Sequence, residues 1–285
     1  MKLPYSIYSG AGNDFVMINN INGFIPFEQQ KNLTIKICTE QFENIDGIIF
    51  LEKPIDSKNS IRMNYYNRDG SFGAMCGNGA RCISQFAIDE NILHEQSFML
   101  EALDKVYRAE IKDNNLIKIY FPPPDKYDLN LKISKVNGLN TITGNYMMVG
   151  SDHLVIFIKD EMNKEIFSAS SLDDVSIELW GSVLRYHPDF QPEGANVNFV
   201  DVFPPNELRV RTYERGVERE TLACGTGIIS SAVISSLLNK VNSPVKVLVQ
   251  SKEWLTVDFN IKNNSIENLS LDGPAKKIKE GEMDI

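Results

Sequence analysis

Two short stretches, MCGNG at 75–79 and ACGTG at 223–227, decide the fold, because each places a cysteine before Gly-x-Gly and ahead of an apolar segment. The segments that follow, 80–88 and 228–238, carry few or no charged residues. Helices without a charged face are usually buried. We therefore predict that Cys76 and Cys224 stand at the N-termini of two central helices, one in each half of the chain.

The sequence upstream of these stretches repeats. NSIRMNYYNRDG at 59–70 aligns with NELRVRTYERGV at 206–217 at a fixed offset of 147 residues. GNDFVMI at 12–18 likewise resembles GSDHLVI at 150–156, at an offset of 138. The matched segments occur in the same order in both halves, which predicts an internal duplication.

The order of predicted elements repeats as well. Each half has a strand after Gly-x-Asp, then a helix, two strands, the cysteine turn with its helix, and closing strands. The helix after the first strand is predicted over about 27–42 in the first half and about 171–186 in the second, where Leu172, Val175, Leu179 and Val183 follow helical spacing.

This pattern predicts an α+β protein of two similar domains related by pseudo-two-fold symmetry, each a mixed or antiparallel β-sheet wrapped round a central helix. The Pro-rich stretch at 121–126 marks the join. The domains are therefore predicted as 1–122 and 123–267, with 268–285 a candidate completion of the first. Loops equivalent by the symmetry would face each other across one cleft.

The composition and net charge argue against two kinds of binding partner, nucleic acids and membranes. The chain has 285 residues and a formal net charge of −9, whereas binding to nucleic acid needs a basic face. No stretch approaches the roughly 20 apolar residues of a membrane span, and the first residues contain no apolar run typical of a signal peptide. We expect a cytoplasmic protein that binds neither nucleic acid nor a membrane, and a homodimer is compatible with the sequence.

Four cysteines in a chain of this length do not form a disulfide scaffold. The C-x5-C spacing of Cys76 and Cys82 and the scattered positions of His94, His153 and His187 do not fit a zinc site, so we expect no metal. Cys38 and Cys82 are interpreted as small buried side chains.

A thiol at a helix N-terminus lies near the positive end of the helix dipole, which stabilises the thiolate. Flanking glycines let a carboxylate approach the backbone N–H groups. Two such thiols suit either a dithiol–disulfide couple, whose usual CxxC signature is absent, or proton transfer on both faces of one carbon.

The stretch NRDGSFGAMCGNGAR at 67–81 resembles the diaminopimelate epimerase pattern Asn-x-Asp-Gly-Ser, four residues, Cys-Gly-Asn-Gly-x-Arg. Further family blocks follow in order over essentially the whole chain: SGAGNDFVMI near the N-terminus, DGIIFLE at 46–52, EGANVNFVDV at 193–202, YERGVERETLACGTG at 213–227 and DGPA at 272–275. The resemblance implies an epimerase that uses neither pyridoxal phosphate nor another cofactor or metal. It would interconvert LL- and meso-diaminopimelate, a precursor of lysine and of the cell wall.

The resemblance also implies roles for individual residues. Cys76 and Cys224 would be the base and the acid, and His153 and Glu214 would lie beside them and set their protonation. The α-carboxylate at the reacting carbon would be held by Gly77, Asn78, Gly225 and Thr226. The rest of the substrate, mostly its non-reacting end, would be gripped by Asn13, Asn67, Asn196, Glu214 and Arg215.

One block departs from the family. The usual Gly-Asn-Pro-His is Gly150-Ser151-Asp152-His153 here, so a shorter hydroxyl replaces an amide that would contact the substrate. The alternatives to this function are another cofactor-independent racemase of the same fold, of the proline racemase or hydroxyproline epimerase type, a phenazine-type isomerase, and a non-enzymatic thiol protein.

Overall fold

The structure is a computed structural model that describes residues 2–73, 75–112, 116–136, 138, 140–263 and 265–284. Ala74, within the first cysteine motif, lies outside the described residues. The chain divides into two compact units, one formed by Met1–Phe121 with Asp272–Ile285 and the other by Pro122–Leu271.

The first part of the chain alternates strands with two helices. In order, these elements are β1 (Lys2–Gly10), β2 (Asn13–Asn19), α1 (Phe27–Glu40), β3 (Gly47–Glu52), β4 (Ile61–Asn67), α2 (Gly77–Asp89), β5 (Ser97–Ala102), β6 (Lys105–Lys112) and β7 (Leu116–Tyr120).

The remainder of the chain repeats this order with additions. Its elements are β8 (Lys126–Val136), β9 (Asn140–Met148), β10 (Asp152–Phe157), α3 (Glu161–Phe167), α4 (Ile177–Arg185), β11 (Asn196–Phe203), β12 (Glu207–Glu214), β13 (Arg219–Thr221), α5 (Gly225–Leu237), β14 (Val245–Leu248), β15 (Trp254–Lys262), β16 (Ser265–Pro274) and β17 (Lys276–Asp284).

Strand pairing is the same in both units. In the first, β1–β2 is antiparallel, β2–β3 parallel, β3–β4 antiparallel, β4–β5 parallel and β5–β6 antiparallel. In the second, the corresponding pairs β9–β10, β10–β11, β11–β12, β12–β14 and β14–β15 have the same directions in the same order. The predicted α+β fold of two repeats is therefore confirmed.

Each unit is built around one buried helix. Helix α2 packs against β1, β2, β3, β4 and β7, and α5 packs against β9, β10, β11, β12, β14 and β15. Both begin where the sequence predicts, with Cys76 and Cys224 as their N-cap residues. Gly10 permits the approach of α2 to β1, since a Cβ there would lie 2.9 Å from the Asn78 carbonyl oxygen.

The two other cysteines are core residues, as expected. Cys38 is buried on the inner face of α1, and Cys82 is buried in α2. Among the described residues, no helix is both long and apolar enough to cross a membrane.

The helix predicted over 171–186 is wrong as a single element. The structure has a 3₁₀ turn at Leu172–Asp174, and α4 begins only at Ile177. Ser171 and Asp174 form a capping box around the short turn, and Val175 then adopts an extended conformation that interrupts the helix. In consequence Leu179, expected on the buried stripe, is 53% exposed, and α4 buries Ile177, Gly181 and Leu184 instead.

Candidate active site

The two cysteine turns have nearly the same backbone. Cys76 and Cys224 are both extended, with φ and ψ of −102° and 112° for Cys76 and −115° and 110° for Cys224. Each extended N-cap directs the first backbone N–H groups of its helix outward, where they have no partner within the helix. Together with the helix dipole, this makes each turn able to receive a carboxylate.

The two sulfur atoms have different neighbours. Sγ of Cys76, which is half-buried, accepts the N–H of Gly79 at 3.4 Å. Sγ of Cys224 makes no such capping bond and lies 3.7 Å from the hydroxyl oxygen of Thr226. Cys224 is also the more enclosed of the two, being buried.

Behind the first turn lies a chain of amide and guanidinium groups. Nδ2 of Asn78 donates to Oδ1 of Asn13 at 2.6 Å, and Nη2 of Arg81 donates to Oδ1 of Asn78 at 2.8 Å. Arg81 is fully buried and also donates to the carbonyl oxygens of Gly77 and Pro274. The structure therefore brings Asn13, Gly77 and Asn78 together and fixes them with a buried cation.

Asn67 belongs to a separate hydrogen-bonded group in the first unit. Its Oδ1 accepts the Tyr65 hydroxyl at 2.7 Å, and its Nδ2 donates to Oγ of Ser71 at 2.9 Å. The side chain is half-buried at the end of β4. It is thus held on the turn that leads into the cysteine motif.

Behind the second turn lies an imidazole. Nδ2 of Asn198 donates to the carbonyl oxygen of Leu154 and faces Nδ1 of His153, both at 3.2 Å. Since a carbonyl can only accept, the amide orientation is fixed and Nδ1 of His153 is an acceptor. The proton of the neutral ring is therefore on Nε2.

Nε2 of His153 lies 2.9 Å from the hydroxyl oxygens of both Ser151 and Thr226. Burial, and then the charge of Arg215, lower the pKa of His153 to about 3, against a smaller opposing effect of Asp152. The ring is therefore neutral near neutral pH. The single Nε2–H therefore faces two hydroxyls, and the Thr226 hydroxyl oxygen also lies 3.7 Å from Sγ of Cys224.

Close packing holds the start of α5 against this group. A Cβ at Gly227 would lie 2.2 Å from Oδ1 of Asn198, so a larger residue there would force α5 away from β11. The same Oδ1 accepts the Thr212 hydroxyl at 2.9 Å. The sequence analysis does not predict a role for Asn198, although this residue lies in the family-like block at 193–202.

Asn196 and Arg215 lie next to each other in the second unit. Oδ1 of Asn196 accepts the backbone N–H of Arg215 at 2.9 Å, and its Nδ2 donates to the carbonyl oxygen of Asp152 at 2.9 Å and to Oγ of Ser151 at 3.4 Å. Asn196 is buried. Its amide thus joins the start of β10 to the end of β12, and both of its ends bond within the protein.

The Arg215 guanidinium is paired with Asp152, at 2.9 Å between Nη1 and Oδ2. Glu214, beside it in the chain, is half-buried and accepts the Thr221 hydroxyl at 2.8 Å. The second unit therefore brings Ser151, His153, Asn196, Arg215 and Thr226 into one connected network next to Cys224. Asp152 is an unpredicted member of it, signalled in the sequence only by its departure from the family block.

Comparison of the sequence with known proteins gives matches over most of the chain. The family model described as "Diaminopimelate epimerase" matches residues 5–125 and 145–278. A protein of Hydrogenobaculum sp. (strain Y04AAS1) that bears the name diaminopimelate epimerase is 35% identical over 283 residues, which cover 96% of each chain.

Two solved structures share the fold at low identity. The PhzF-family phenazine biosynthesis protein of Bacillus anthracis has a TM-score of 0.72 at 14% identity, with 100% of both chains covered. A probable proline racemase from Agrobacterium radiobacter K84 has a TM-score of 0.70 at 14% identity, covering 99% of this chain and 93% of the other.

Proposed function

Because this chain belongs to the diaminopimelate epimerase family, we propose that it interconverts LL- and meso-diaminopimelate by inverting one α-carbon. The enzyme is an isomerase of lysine biosynthesis. The observation that carries the chemical proposal is the pair of N-cap cysteines, Cys76 and Cys224, one at the start of each central helix.

The two sulfurs act as base and acid on opposite faces of one carbon. A thiolate takes the Cα proton and becomes a thiol, while the other thiol delivers a proton to the opposite face and becomes a thiolate. The stereocentre is inverted and the two cysteines have exchanged roles, so the reverse reaction starts from the state in which the forward reaction ends. Two identical groups suit a nearly symmetric reaction.

The negative charge that develops during proton removal spreads onto the α-carboxylate. The N–H groups at the starts of α2 and α5, including those of Gly77, Asn78, Gly225 and Thr226, are oriented to stabilise it. The Arg81–Asn78–Asn13 chain and the His153–Thr226 pair hold these two turns in place. His153 acts by positioning the Thr226 hydroxyl, since a neutral buried imidazole with a pKa of about 3 is a poor proton carrier.

The non-reacting end of the substrate is expected at Asn67, Glu214 and Arg215. A guanidinium suits a carboxylate, and amides and a carboxylate suit an ammonium group. Asn196 and Ser151 support this end, Asn196 through its bonds to Arg215 and Asp152.

A racemase acting on proline is the competing function. The likeness to the probable proline racemase, at 14% identity, shows the fold alone, and proline has no second amino-acid end for Arg215 to bind. The family match therefore favours diaminopimelate.

The test is epimerisation in D₂O. With LL-diaminopimelate, the meso product should carry deuterium at the inverted carbon from the first turnovers, while recovered substrate stays protiated, because separate groups remove and deliver the proton. Proline under the same conditions should not exchange. A product that retains the original hydrogen would contradict the two-base mechanism, and exchange of proline without exchange of diaminopimelate would reject the proposed substrate.

A further inference from the structure

Arg215 and Asp152 form a partly buried ion pair beside the network of the second unit. Nη1 of Arg215 lies 2.9 Å from Oδ2 of Asp152, and the two side chains are 27% and 22% exposed. The same Nη1 donates to the carbonyl oxygen of Gly194 at 3.1 Å. Both of these bonds are made by Nη1, which fixes the orientation of the guanidinium, while Nε and Nη2 carry further N–H donors.

The Asp152 carboxylate is also fixed from its other oxygen. Oδ1 accepts the Tyr146 hydroxyl at 2.6 Å. Burial, then the bond to Asp152 and its charge, raise the pKa of Tyr146 well above the usual range, so the phenol remains a donor. A carboxylate offers about four acceptor positions, which leaves Asp152 able to accept further N–H groups.

The duplicated half shows that the fold does not require this pair. Arg68 and Asp14 are the residues equivalent to Arg215 and Asp152 at the two repeat offsets. Arg68 donates to the backbone carbonyl oxygens of Cys38, Phe42 and Ile45 instead of to a carboxylate. A guanidinium at this position can thus be satisfied by backbone alone, and the carboxylate partner is particular to the second unit.

A neighbouring carboxylate changes what an arginine selects. Arg215 alone would attract any carboxylate, including that of a simple diacid. With Asp152 beside it, the pair has no net charge but presents a positive and a negative group side by side. That arrangement matches a zwitterion, whose carboxylate and ammonium can each meet the opposite charge, and it disfavours a lone carboxylate through repulsion from Asp152.

We propose that Asp152 is a specificity-determining residue that receives the ammonium group at the non-reacting end of the substrate, next to the carboxylate bound by Arg215. This role rests on the proposed function. It makes the enzyme select an amino-acid end over a plain carboxylate end, in a block where the side chain of the family's usual Pro has neither a charge nor an acceptor.

The test compares LL-diaminopimelate with L-2-aminopimelate, which has the same chain and lacks the distal ammonium. In the wild type, kcat/KM should favour diaminopimelate by about 100-fold or more. Asp152→Asn should lower kcat/KM for diaminopimelate by about 10- to 100-fold and leave that for aminopimelate unchanged or raised. Asp14→Asn, the matched change in the other half, should leave the ratio of the two substrates unchanged.

Equal loss on both substrates in Asp152→Asn would show that Asp152 only orients Arg215, and would overturn the proposal. Equal kcat/KM for the two substrates in the wild-type enzyme would by itself overturn the proposal. Asp152→Ala provides a second variant, in which the ratio of kcat/KM for diaminopimelate to that for aminopimelate must also fall. A wild type that turns over neither substrate would instead reject the proposed function, so the two failures are distinguishable.

Discussion

At the first cysteine turn, position 78 is an amide backed by the buried Arg81, whereas at the second, position 226 is a hydroxyl backed by the neutral His153. Ile229, fully buried, occupies the place of Arg81 in the second unit. The first turn is therefore backed by the permanent cation of Arg81, whereas the matched position behind the second turn holds the uncharged Ile229. The duplication has therefore kept the backbone of the turn and changed its electrostatics.

This difference gives the two cysteines unequal surroundings. Cys76 accepts a backbone N–H and is half-buried, while Cys224 is buried and faces a hydroxyl. N–H donors favour an anionic sulfur. We expect the first turn to stabilise thiolate more than the second, although the proposed mechanism requires both sulfurs to take both roles during turnover.

The largest effect expected is that of removing either sulfur. Cys76→Ser and Cys224→Ser should each lower epimerisation by about 10³-fold or more, because a hydroxyl is a much weaker base than a thiolate. Loss of hydrogen halide from a 3-halo analogue needs only one base. Each variant should therefore retain elimination for one configuration at Cα and lose it for the other, as measured by halide release.

Retention of near wild-type epimerisation by either serine variant would contradict the assignment of the two bases. Loss of elimination for both configurations in one variant would show that the remaining sulfur cannot act alone.

The buried cation behind the first turn is the next point of comparison. Arg81→Met should destabilise the protein by about 3–5 kcal/mol, because it leaves Asn78 and the carbonyl oxygens of Gly77 and Pro274 without their donors. Ile229→Met, at the matched position, should cost less than about 1.5 kcal/mol. Urea denaturation of both variants provides the measurement, and equal midpoints would show that Arg81 is not needed to hold the turn.

The neutral imidazole behind the second turn should make stability depend on pH. The folded pKa of His153, about 3, is below its unfolded value near 6.5, so between these limits the unfolded state binds the extra proton. The contribution of His153 to the free energy of unfolding is fully present above pH 6.5. It is lost as the pH falls toward 3, by up to about 1.4 kcal/mol per pH unit.

His153→Gln should reduce the slope of unfolding free energy against pH between 4 and 6, since glutamine does not titrate. Thermal unfolding at several pH values compares the variant with the wild type. Parallel slopes would show that His153 becomes protonated without unfolding.

The smallest effect concerns the hydroxyl between His153 and Cys224. Thr226→Val keeps the shape of the side chain and removes the contact to the sulfur, which should lower kcat by about 5- to 30-fold. Thr226→Ser retains the hydroxyl and should remain near wild-type activity. A valine variant with wild-type kcat would show that the second turn does not require the hydroxyl.

The features that follow local sequence rules were predictable. Cys76 and Cys224 cap their helices because Gly-x-Gly after each cysteine opens a helix, and both helices are buried because they lack a charged face. Apolar spacing does not predict the break at Val175, because the spacing continues through it, although Ser171 and Asp174 are typical of a separate capped turn.

Side-chain pairing between distant residues was not predictable in the same way. Asp152 and Arg215 are 63 residues apart, and neither periodicity nor composition indicates that they meet. Likewise, Asn196 was expected to contact substrate, and nothing in the sequence indicates that both ends of its amide bond within the protein. Such pairs depend on the register of β10 against β11 and on the path of the turn after β12.

The C-terminal strand β17 pairs with the N-terminal strand β1, with Met283 opposite Leu3 and both side chains buried in one apolar cluster. The first unit is consequently assembled from the two ends of the chain. During synthesis on a ribosome, residues 1–121 emerge early but lack the edge strand that covers β1 until residues 276–284 have been made. The second unit is continuous and is complete before β17 is made, so a nascent chain that stalls before residue 276 would present β1 as an open edge to chaperones and to other copies.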